Sequence, residues 1–364
     1  MKNIDRNIAI GLVMLALLIS ITVSLEAQFS GGSGTAEDPW QVANATDLYN
    51  VRSYPDSSFI QTDDIYLTGQ WDPISVFSGV YNGNYYSIYD MTITNNQPAM
   101  QTGLFGVLDD GVLMRVKLKD FYISLTSVDV VSTGGIAGVN NGTMMFCSAE
   151  GDIIALNGMF TGDLAGANNS TGIIRESYSD VYLEGGIAGD IMGGLVGGNA
   201  GTIEDSYAKG SVYGYSHIGG LIGLNYNGFV TNCYSTSFVD GINNVGGLIG
   251  AESYGRSINV VNSYWNTQTS GQQTSAGGYG RNTNDMTYPY DQNTYVDWDF
   301  DSVWQGDELA SYNEGYPFHR PHECRLLMII ARNHQYKVGL QDYYNSCFER
   351  LIEQAESQEQ VHGW

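Results

Sequence analysis

The sequence predicts an all-β fold, a right-handed parallel β-helix (solenoid) with short capping segments and a small helical C-terminal tail. Two observations predict it. A Gly-rich block recurs along the chain, and each repeat holds three short strand-like stretches with a hydrophobic period near two instead of 3.6. Glycine contributes 46 of 364 residues, above its usual share of about 7%, and tyrosine contributes 26. This enrichment favours many tight turns and many strands.

The repeated block reads Gly-Gly-aliphatic-aliphatic-Gly in its clear copies. Clear and degenerate copies begin at Gly103, Gly134, Gly162, Gly193, Gly219 and Gly246. Their aliphatic residues recur every 26 to 32 residues, which is the length of one supersecondary unit. One such unit cannot bury its apolar face alone, so we expect the units to stack and to pair their strands coil to coil.

Other positions recur inside each unit. A small residue recurs at Cys147, Ser177, Ser206, Cys233 and Ser263. The residue after it is tyrosine in four units, at Tyr178, Tyr207, Tyr234 and Tyr264, which predicts an aromatic ladder. Cys147 and Cys233 would lie about 14 Å apart, three coils of strand spacing, and a disulfide needs Cα atoms within about 7 Å. We therefore expect these two cysteines to be packing residues that are not bonded to each other.

The position before the small residue mixes carboxylates and amides. It is Glu176, Asp205, Asn232 and Asn262 in four successive units. This mixture suits an asparagine-type ladder or a turn better than a column of catalytic acids.

Charge excludes two classes of partner. The chain has 15 basic and 39 acidic residues and a net charge of −24. A protein with so little basic surface cannot neutralise nucleic-acid phosphates, nor dock on anionic lipid. Four cysteines in 364 residues do not form a disulfide scaffold.

The N-terminus is typical of an export signal. Lys2 and Arg6 precede an uncharged run from Ile8 to Leu25, and cleavage is expected after Ala27. The alternative is an uncleaved anchor, since 18 residues are at the short end of a membrane span. Both alternatives place the rest of the chain outside the cytoplasm, secreted or at the cell surface.

Residues 193–214 resemble the GLUG-motif proteins, whose repeat reads roughly Gly-Gly-Leu-Val-Gly-x-Asn-x-Gly-x-Ile-x-x-Ser-Tyr-Ala-x-Gly-x-Val-x-Gly. The likeness extends over about residues 29–318. It implies secreted and cell-surface proteins, including large adhesins and regions of bacterial immunoglobulin A peptidases. In these proteins the β-helix serves as a display or extension element. A zinc protease partner would need His-Glu-x-x-His, and the nearest stretch, residues 322–326, lacks the second histidine. Protease activity is therefore not supported by the sequence.

The sequence divides into three parts. Residues 1–27 are the signal peptide or anchor, residues 28–318 are the β-helix with clear repeats at 103–280, and residues 319–364 are a tail of unknown role. Residues 45–54 are predicted to form a capping helix with Thr46 as N-cap, and residues 281–318 a C-terminal wrap. In the tail, residues 326–331 and 342–357 read as helical, and the tail is either a docking helix or an aberrant translated end.

Two sets of residues are candidate metal ligands. Asp297, Asp299, Asp301 and Glu308 fit positions 1, 3, 5 and 12 of a calcium loop, although Ser302 stands where glycine is expected. An alternating strand pattern in an acidic segment at the end of the β-helix would place the same residues at these positions. A second set has no standard zinc spacing: His319, His322, Cys324, His334 and Cys347. No metal site and no cofactor is assigned from the sequence beyond the calcium candidates.

These observations favour a non-catalytic extracellular β-helix that acts as an adhesin-like binding or display module. Its partner would be a surface glycan or an extracellular protein, since exposed tyrosines can stack on sugar rings. One alternative is a carbohydrate-active β-helix enzyme, lyase-like or hydrolase-like, which would need a cleft with clustered carboxylates on one β-face. Another is a purely structural envelope component that self-associates.

Overall fold

The computed structural model describes residues 28–320, except 95–100, 127–130, 157, 187–189 and 254–258. The predicted signal segment and both predicted tail helices lie outside the described residues. The fold is an all-β parallel solenoid, which confirms the predicted fold class. All strand pairs along the solenoid are parallel, and each strand pairs with its equivalents in the neighbouring coils.

The strands, numbered in chain order, form four sheets that run along the solenoid. Sheet 1 contains β8 (Gln101–Thr102), β12 (Ser132–Gly134), β16 (Phe160–Gly162), β20 (Ile191–Gly193), β24 (Ser216–Gly219) and β29 (Asn243–Gly246). Sheet 2 contains β4 (Ile74–Phe77), β9 (Phe105–Leu108), β13 (Ala137–Asn140), β17 (Ala165–Asn168), β21 (Val196–Asn199), β25 (Ile222–Asn225) and β30 (Ile249–Glu252). Sheet 3 contains β1 (Trp40–Val42), β2 (Ser58–Gln61), β5 (Val80–Asn82), β10 (Val112–Met114), β14 (Thr143–Met145), β18 (Ile173–Arg175), β22 (Thr202–Glu204), β26 (Phe229–Thr231) and β31 (Val260–Val261). Sheet 4 contains β3 (Ile65–Tyr66), β6 (Ser87–Tyr89), β7 (Thr92–Thr94), β11 (Lys117–Leu125), β15 (Ser148–Ala155), β19 (Tyr178–Gly185), β23 (Tyr207–Tyr213), β27 (Tyr234–Ser235), β28 (Phe238–Asp240), β32 (Tyr264–Asn266) and β33 (Tyr279–Arg281).

A full coil has four strands, not the three predicted from the sequence. The glycine block is not one strand but a corner: β20 ends at Gly193 and β21 begins at Val196. A side chain at Gly193 would place its Cβ 2.2 Å from the carbonyl oxygen of Val196, so only glycine fits this tight corner. The prediction was wrong because a corner without polar residues looks like a continuous apolar stretch in the sequence.

The repeated aliphatic residue fills the centre of the solenoid. The following residues are all fully buried: Leu104, Ile136, Leu164, Leu195, Leu221 and Leu248. Sheet 3 contributes a second interior column that includes Ile174, Ile203 and Val230, also fully buried. Stacking therefore buries a continuous core, as the repeat length predicted.

The corner between sheets 3 and 4 is a turn with left-handed backbone. Successive coils place one residue there with φ between 46° and 57°: Arg115, Phe146, Glu176, Asp205, Asn232 and Asn262. This assigns the mixed carboxylate and amide position to a turn, which is one of the two predicted alternatives. The small residue that follows is buried and accepts from the preceding coil: the Ser177 hydroxyl accepts from the Cys147 amide at 3.0 Å, and the Ser263 hydroxyl from the Cys233 amide at 3.1 Å. Cys147 and Cys233 are both free thiols, which confirms that they are not bonded to each other.

An asparagine ladder runs along the last residue of the sheet 2 strands. The side-chain amide of Asn140 donates to the Oδ1 of Asn168 at 2.7 Å, Asn168 donates to Asn199 at 2.8 Å, and Asn199 donates to Asn225 at 3.0 Å. The Oδ1 of Asn199 also accepts from the backbone two residues later, at 3.2 Å. The ladder ends on the Glu252 carboxylate, which accepts from Asn225 at 3.0 Å. Because all four asparagines are buried, the ladder satisfies amides that would otherwise destabilise the fold.

The N-terminal cap contains a short helix, α1 (Ala45–Asn50), followed by a 3-10 turn (Val51–Ser53). Its N-cap is Asn44 and not the predicted Thr46. Asn44 is extended, and its Oδ1 accepts from the amides of Thr46 and Asp47, so an asparagine two residues earlier satisfies free amides of the first turn. Buried Leu48 anchors the helix on the core.

The chain leaves the last coil as a wrap made of residues 282–320. It contains α2 (Thr283–Met286) and an antiparallel pair, β34 (Trp304–Gln305) with β35 (Phe318–His319). The wrap packs on the outer surface of sheet 4 and forms its own aromatic core there.

One coil carries a carboxylate inside the solenoid. Asp163 occupies the second glycine position of the block, is fully buried, and has no hydrogen-bond partner of good geometry for either carboxyl oxygen among the described residues. Burial raises the pKa of this carboxyl well above its ordinary value, and the nearby carboxylates of Asp180 and Glu150 act in the same direction.

We expect Asn199→Ala to destabilise the protein by about 3 kcal/mol. Inside the core, the Asn168 amide then has no Oδ1 of residue 199 to donate to, and the Oδ1 of Asn225 loses the amide that donates to it. Asn169→Ala is the matched control, since Asn169 is exposed and its side-chain amide donates to Asn141 on the surface of the neighbouring coil. The free energy of unfolding in urea measures both. Equal effects of the two variants would contradict a stabilising role of the ladder.

The buried carboxyl makes stability depend on pH. The pKa of Asp163 is higher in the folded than in the unfolded protein. The stability that this carboxyl contributes to the fold is therefore lost as pH rises from the unfolded pKa, about 3.9, through the folded pKa. Asp163→Asn should therefore raise the unfolding midpoint at neutral pH. The midpoint should also fall less between acidic and neutral pH in this variant than in the wild type. Asp110→Asn, at an exposed position, is the control, and identical pH profiles for Asp163→Asn and the wild type would refute this assignment.

Candidate ligand-binding groove on sheet 4

Sheet 4 has a crease on its outer surface. In β11 the residue Asp120 is bulged, with φ 52°, and the register with β15 shifts at this point. Three coils further, Gly210 in β23 has φ 101°, and a Cβ there would lie 2.2 Å from the carbonyl oxygen of Val181. These left-handed residues bend the long strands of sheet 4 at the same level, so the surface becomes concave.

The crease forms a groove of about 520 Å³ that crosses four strands. Its side chains are aromatic and acidic, and they come from β11, β15, β19 and β23. The polar and tyrosine lining residues are Asp120, Tyr122, Glu150, Asp152, Asp180, Tyr182 and Ser211. The groove will be called the sheet 4 groove.

One row of the groove alternates aromatic and acidic residues along the solenoid axis. Strand pairing puts Tyr122 opposite Asp152, and Asp152 opposite Tyr182. Tyr122 and Tyr182 are 39% and 41% exposed, so their ring faces are available to a ligand. Strands two apart are separated by about 9.6 Å, which leaves one carboxylate between two aromatic platforms.

A second row is a line of ion pairs. The Lys119 ammonium lies 3.4 Å from the Glu150 carboxylate, and the Lys209 ammonium lies 3.1 Å from that of Asp180. The Tyr178 hydroxyl also donates to Glu150 at 3.0 Å. Glu150 and Asp180 are therefore held in place and partly neutralised. Among the described residues, Asp120 and Asp152 take part in no ion pair.

The predicted tyrosine ladder forms the border of this groove. Tyr178 and Tyr207 stack with ring centroids 5.0 Å apart, and Tyr207 and Tyr234 with centroids 4.8 Å apart, at interplanar angles of 6° and 7°. The wrap covers the ladder from Tyr207 onward, where the Tyr234 hydroxyl donates to the Pro317 carbonyl at 2.8 Å. Tyr178 is only half-buried, so the ladder passes from a covered structural part to an open part beside the groove.

The four calcium candidates do not form a site in the structure. Asp299 accepts from the backbone amides of Asp301 and Ser302 at 3.0 and 2.8 Å, and from the Ser302 hydroxyl, so it caps a turn. No group of three or more histidine, cysteine, aspartate or glutamate side chains suited to a metal occurs in the described part of the chain, which includes Asp297 and Glu308. Calcium binding stays a prediction without geometric support.

The zinc candidates lie outside the described residues, apart from His319. The Nε2 of this histidine donates to the Asp205 carbonyl at 2.7 Å, and its ring packs on Trp304 at 4.6 Å. In this structure His319 therefore fastens the wrap to the corner between sheets 3 and 4.

Sequence reasoning missed the sheet 4 groove. Two of its carboxylates, Glu150 and Asp180, do share one position of successive repeats, but lysines take that position in the coils on either side, so no long acidic column appears when the repeats are aligned. The signals that could have indicated it are the long strand-like runs of three successive units and the period-two placement of Tyr122 and Tyr182 within them.

Comparison with known proteins identifies the repeat. Residues 191–213 match the family model described as the GLUG motif. The chain carries a GLUG repeat. The matched residues are one complete coil, from β20 through β23, so the GLUG motif here corresponds to one turn of the solenoid.

One relative is a protein of Evansella cellulosilytica provisionally described as a Gly-rich membrane protein. It is 32% identical over 157 residues, which cover 39% of this chain and 18% of that protein. This chain thus matches less than a fifth of the relative's length. No helix in the described ranges is long and apolar enough to cross a membrane.

A solved structure shares the fold. It is a Bacteroides ovatus protein provisionally described as an immunoglobulin A1 protease. It superposes with a TM-score of 0.64 at 20% identity, over 80% of this chain and 95% of the other chain. At this identity the likeness shows the fold alone.

The wrap depends on the buried hydroxyl of Tyr234, which also accepts from the Asn313 amide at 2.6 Å. We expect Tyr234→Phe to weaken docking of the wrap by about 1–2 kcal/mol, because Asn313 and the Pro317 carbonyl lose a buried partner. Faster amide hydrogen exchange in residues 282–320, with little change in the coils, is the expected result. Tyr182→Phe, which removes an exposed hydroxyl bonded to Glu184, should leave exchange in the wrap unchanged.

Proposed function

We propose that the protein is an extracellular, adhesin-like binding module and that the sheet 4 groove binds a glycan. The observation that carries this proposal is the row of Tyr122, Asp152 and Tyr182, in which two exposed rings flank one carboxylate in a concave surface. Aromatic faces pack on the apolar faces of sugar rings, and carboxylates accept from sugar hydroxyls.

The solenoid supports this function mechanically. The groove lies on long strands whose hydrogen bonds continue into neighbouring coils, so its side chains are held on rigid elements. Export through the N-terminal segment is part of the proposal and fits the acidic surface and the membrane description of the Evansella cellulosilytica relative.

A carbohydrate-active enzyme is the second candidate, and one observation favours it. The groove gathers the carboxyl groups of Asp120, Glu150, Asp152 and Asp180 on one β-face, which is the arrangement that this alternative requires. The observation that favours binding over catalysis is that Glu150 and Asp180 are each held by a lysine. A catalytic carboxyl must be free to contact the reacting atoms of the substrate, whereas these two are occupied by ion pairs.

Binding of the full secreted chain to an array of glycans tests the proposal. We expect specific binding that Tyr122→Ala and Tyr182→Ala each weaken at least about tenfold, since loss of one aromatic contact in a small site removes on the order of 1.5 kcal/mol. Tyr226→Ala is the matched control, because Tyr226 is 39% exposed but belongs to the turn between sheets 2 and 3, away from sheet 4.

The same assay separates the alternatives. Shortened or unsaturated sugar products, lost in Glu150→Gln, would replace the binding proposal with the enzyme. A blank array would contradict glycan binding and favour a protein partner or a spacer role. Equal losses in Tyr226→Ala and the groove variants would contradict the location of the site.

A further inference from the structure

The sheet 4 groove carries more negative than positive side chains. Lys119 and Lys209 lie at the two ends of the ion-pair row and are occupied by Glu150 and Asp180. Three further carboxylates lie in or beside the groove, Asp120, Asp152 and Glu184, and none of them has an ion-pair partner among the described residues.

The placement of these charges follows the aromatic row. Asp152 lies in register between Tyr122 and Tyr182, and the Tyr182 hydroxyl donates to Glu184 at 3.1 Å. A ligand whose rings stack on the two tyrosines must therefore place its central substituents against Asp152. A ligand carboxylate or sulfate there would meet a like charge, whereas an ammonium would meet an opposite one.

The row also sets the direction and the form of the ligand. Tyr122, Asp152 and Tyr182 come from three consecutive coils, so the row runs parallel to the solenoid axis. The aromatic surface continues toward the later coils, because Tyr213 lies 5.5 Å from Tyr182 and Phe238 lies 5.6 Å from Tyr213. An extended polymer fits this path, and a single sugar would use only one platform.

We propose that the sheet 4 groove binds a linear glycan that carries positively charged amino groups, with its chain along the solenoid axis. Tyr122 and Tyr182 stack under two of its rings, and Asp152 accepts hydrogen bonds from an ammonium between them. This inference rests on the proposed glycan-binding function and adds the charge and the orientation of the ligand.

The test compares two oligosaccharides with the same backbone and different charge. The probes are a hexamer of β-1,4-linked N-acetylglucosamine, which is neutral, and the same hexamer without acetyl groups, in a buffer that keeps its amines protonated. Calorimetric titration of the full secreted chain should give about fivefold to tenfold tighter binding of the charged hexamer at low salt, as expected for one or two exposed charge pairs. The preference should decrease at high salt, which screens such pairs.

Two variants locate the effect. Asp152→Asn should remove most of the preference for the charged hexamer and leave binding of the neutral one nearly unchanged. Asp110→Asn, which removes another exposed carboxylate outside sheet 4, should retain the preference and thereby controls for the net charge of the chain.

The outcomes separate this inference from the proposed function. Equal affinity for the two hexamers, or tighter binding of an oligogalacturonate, overturns the charge inference and leaves glycan binding in place. A preference that persists in Asp152→Asn overturns the role of that residue. Failure of the wild type to bind every oligosaccharide, on the array and in solution, overturns both proposals.

Discussion

Register between coils is the constraint on which the structure depends. Every residue in a parallel solenoid lies beside its own equivalent, one strand spacing of about 4.8 Å away. Side chains that interact favourably with their own kind can therefore form columns: asparagine amides, serine hydroxyls, tyrosine rings and aliphatic groups. Adjacent like charges repel each other, so a pair such as Glu150 and Asp180, which lie in register, needs opposite charges beside it. The row that contains Glu150 and Asp180 obeys this constraint by ending on Lys119 and Lys209.

Features that can act on other molecules arise where the repetition breaks. The bulge at Asp120 and the left-handed Gly210 interrupt the regular strands and create the crease. Asp163 replaces a glycine of the block and introduces an interior carboxyl whose pKa is raised by burial. Repetition gives the solenoid its stability, and deviations from it give individual coils their chemistry.

The tyrosine ladder shows how one residue type takes two roles. At Tyr207 and Tyr234 the ring is buried under the wrap and contributes to a core. At Tyr178 the same column is half open and its hydroxyl holds Glu150 at the edge of the groove. The boundary between these roles is set by the wrap, which reaches the corner between sheets 3 and 4 through His319 and Trp304.

The sequence by itself determined the class of fold, the coil period, the interior aliphatic column, the tyrosine ladder and the free state of Cys147 and Cys233, because each depends only on equivalent residues recurring at one interval. The asparagine ladder was expected at the mixed carboxylate and amide position and lies elsewhere, at the asparagine two positions after the last glycine of the block. Tertiary structure alone decided the fourth strand of each coil, the N-cap at Asn44 and the sheet 4 groove. These depend on backbone dihedral angles at single positions and on side chains that different coils contribute to one surface, and neither quantity is recorded in the order of the residues along the chain.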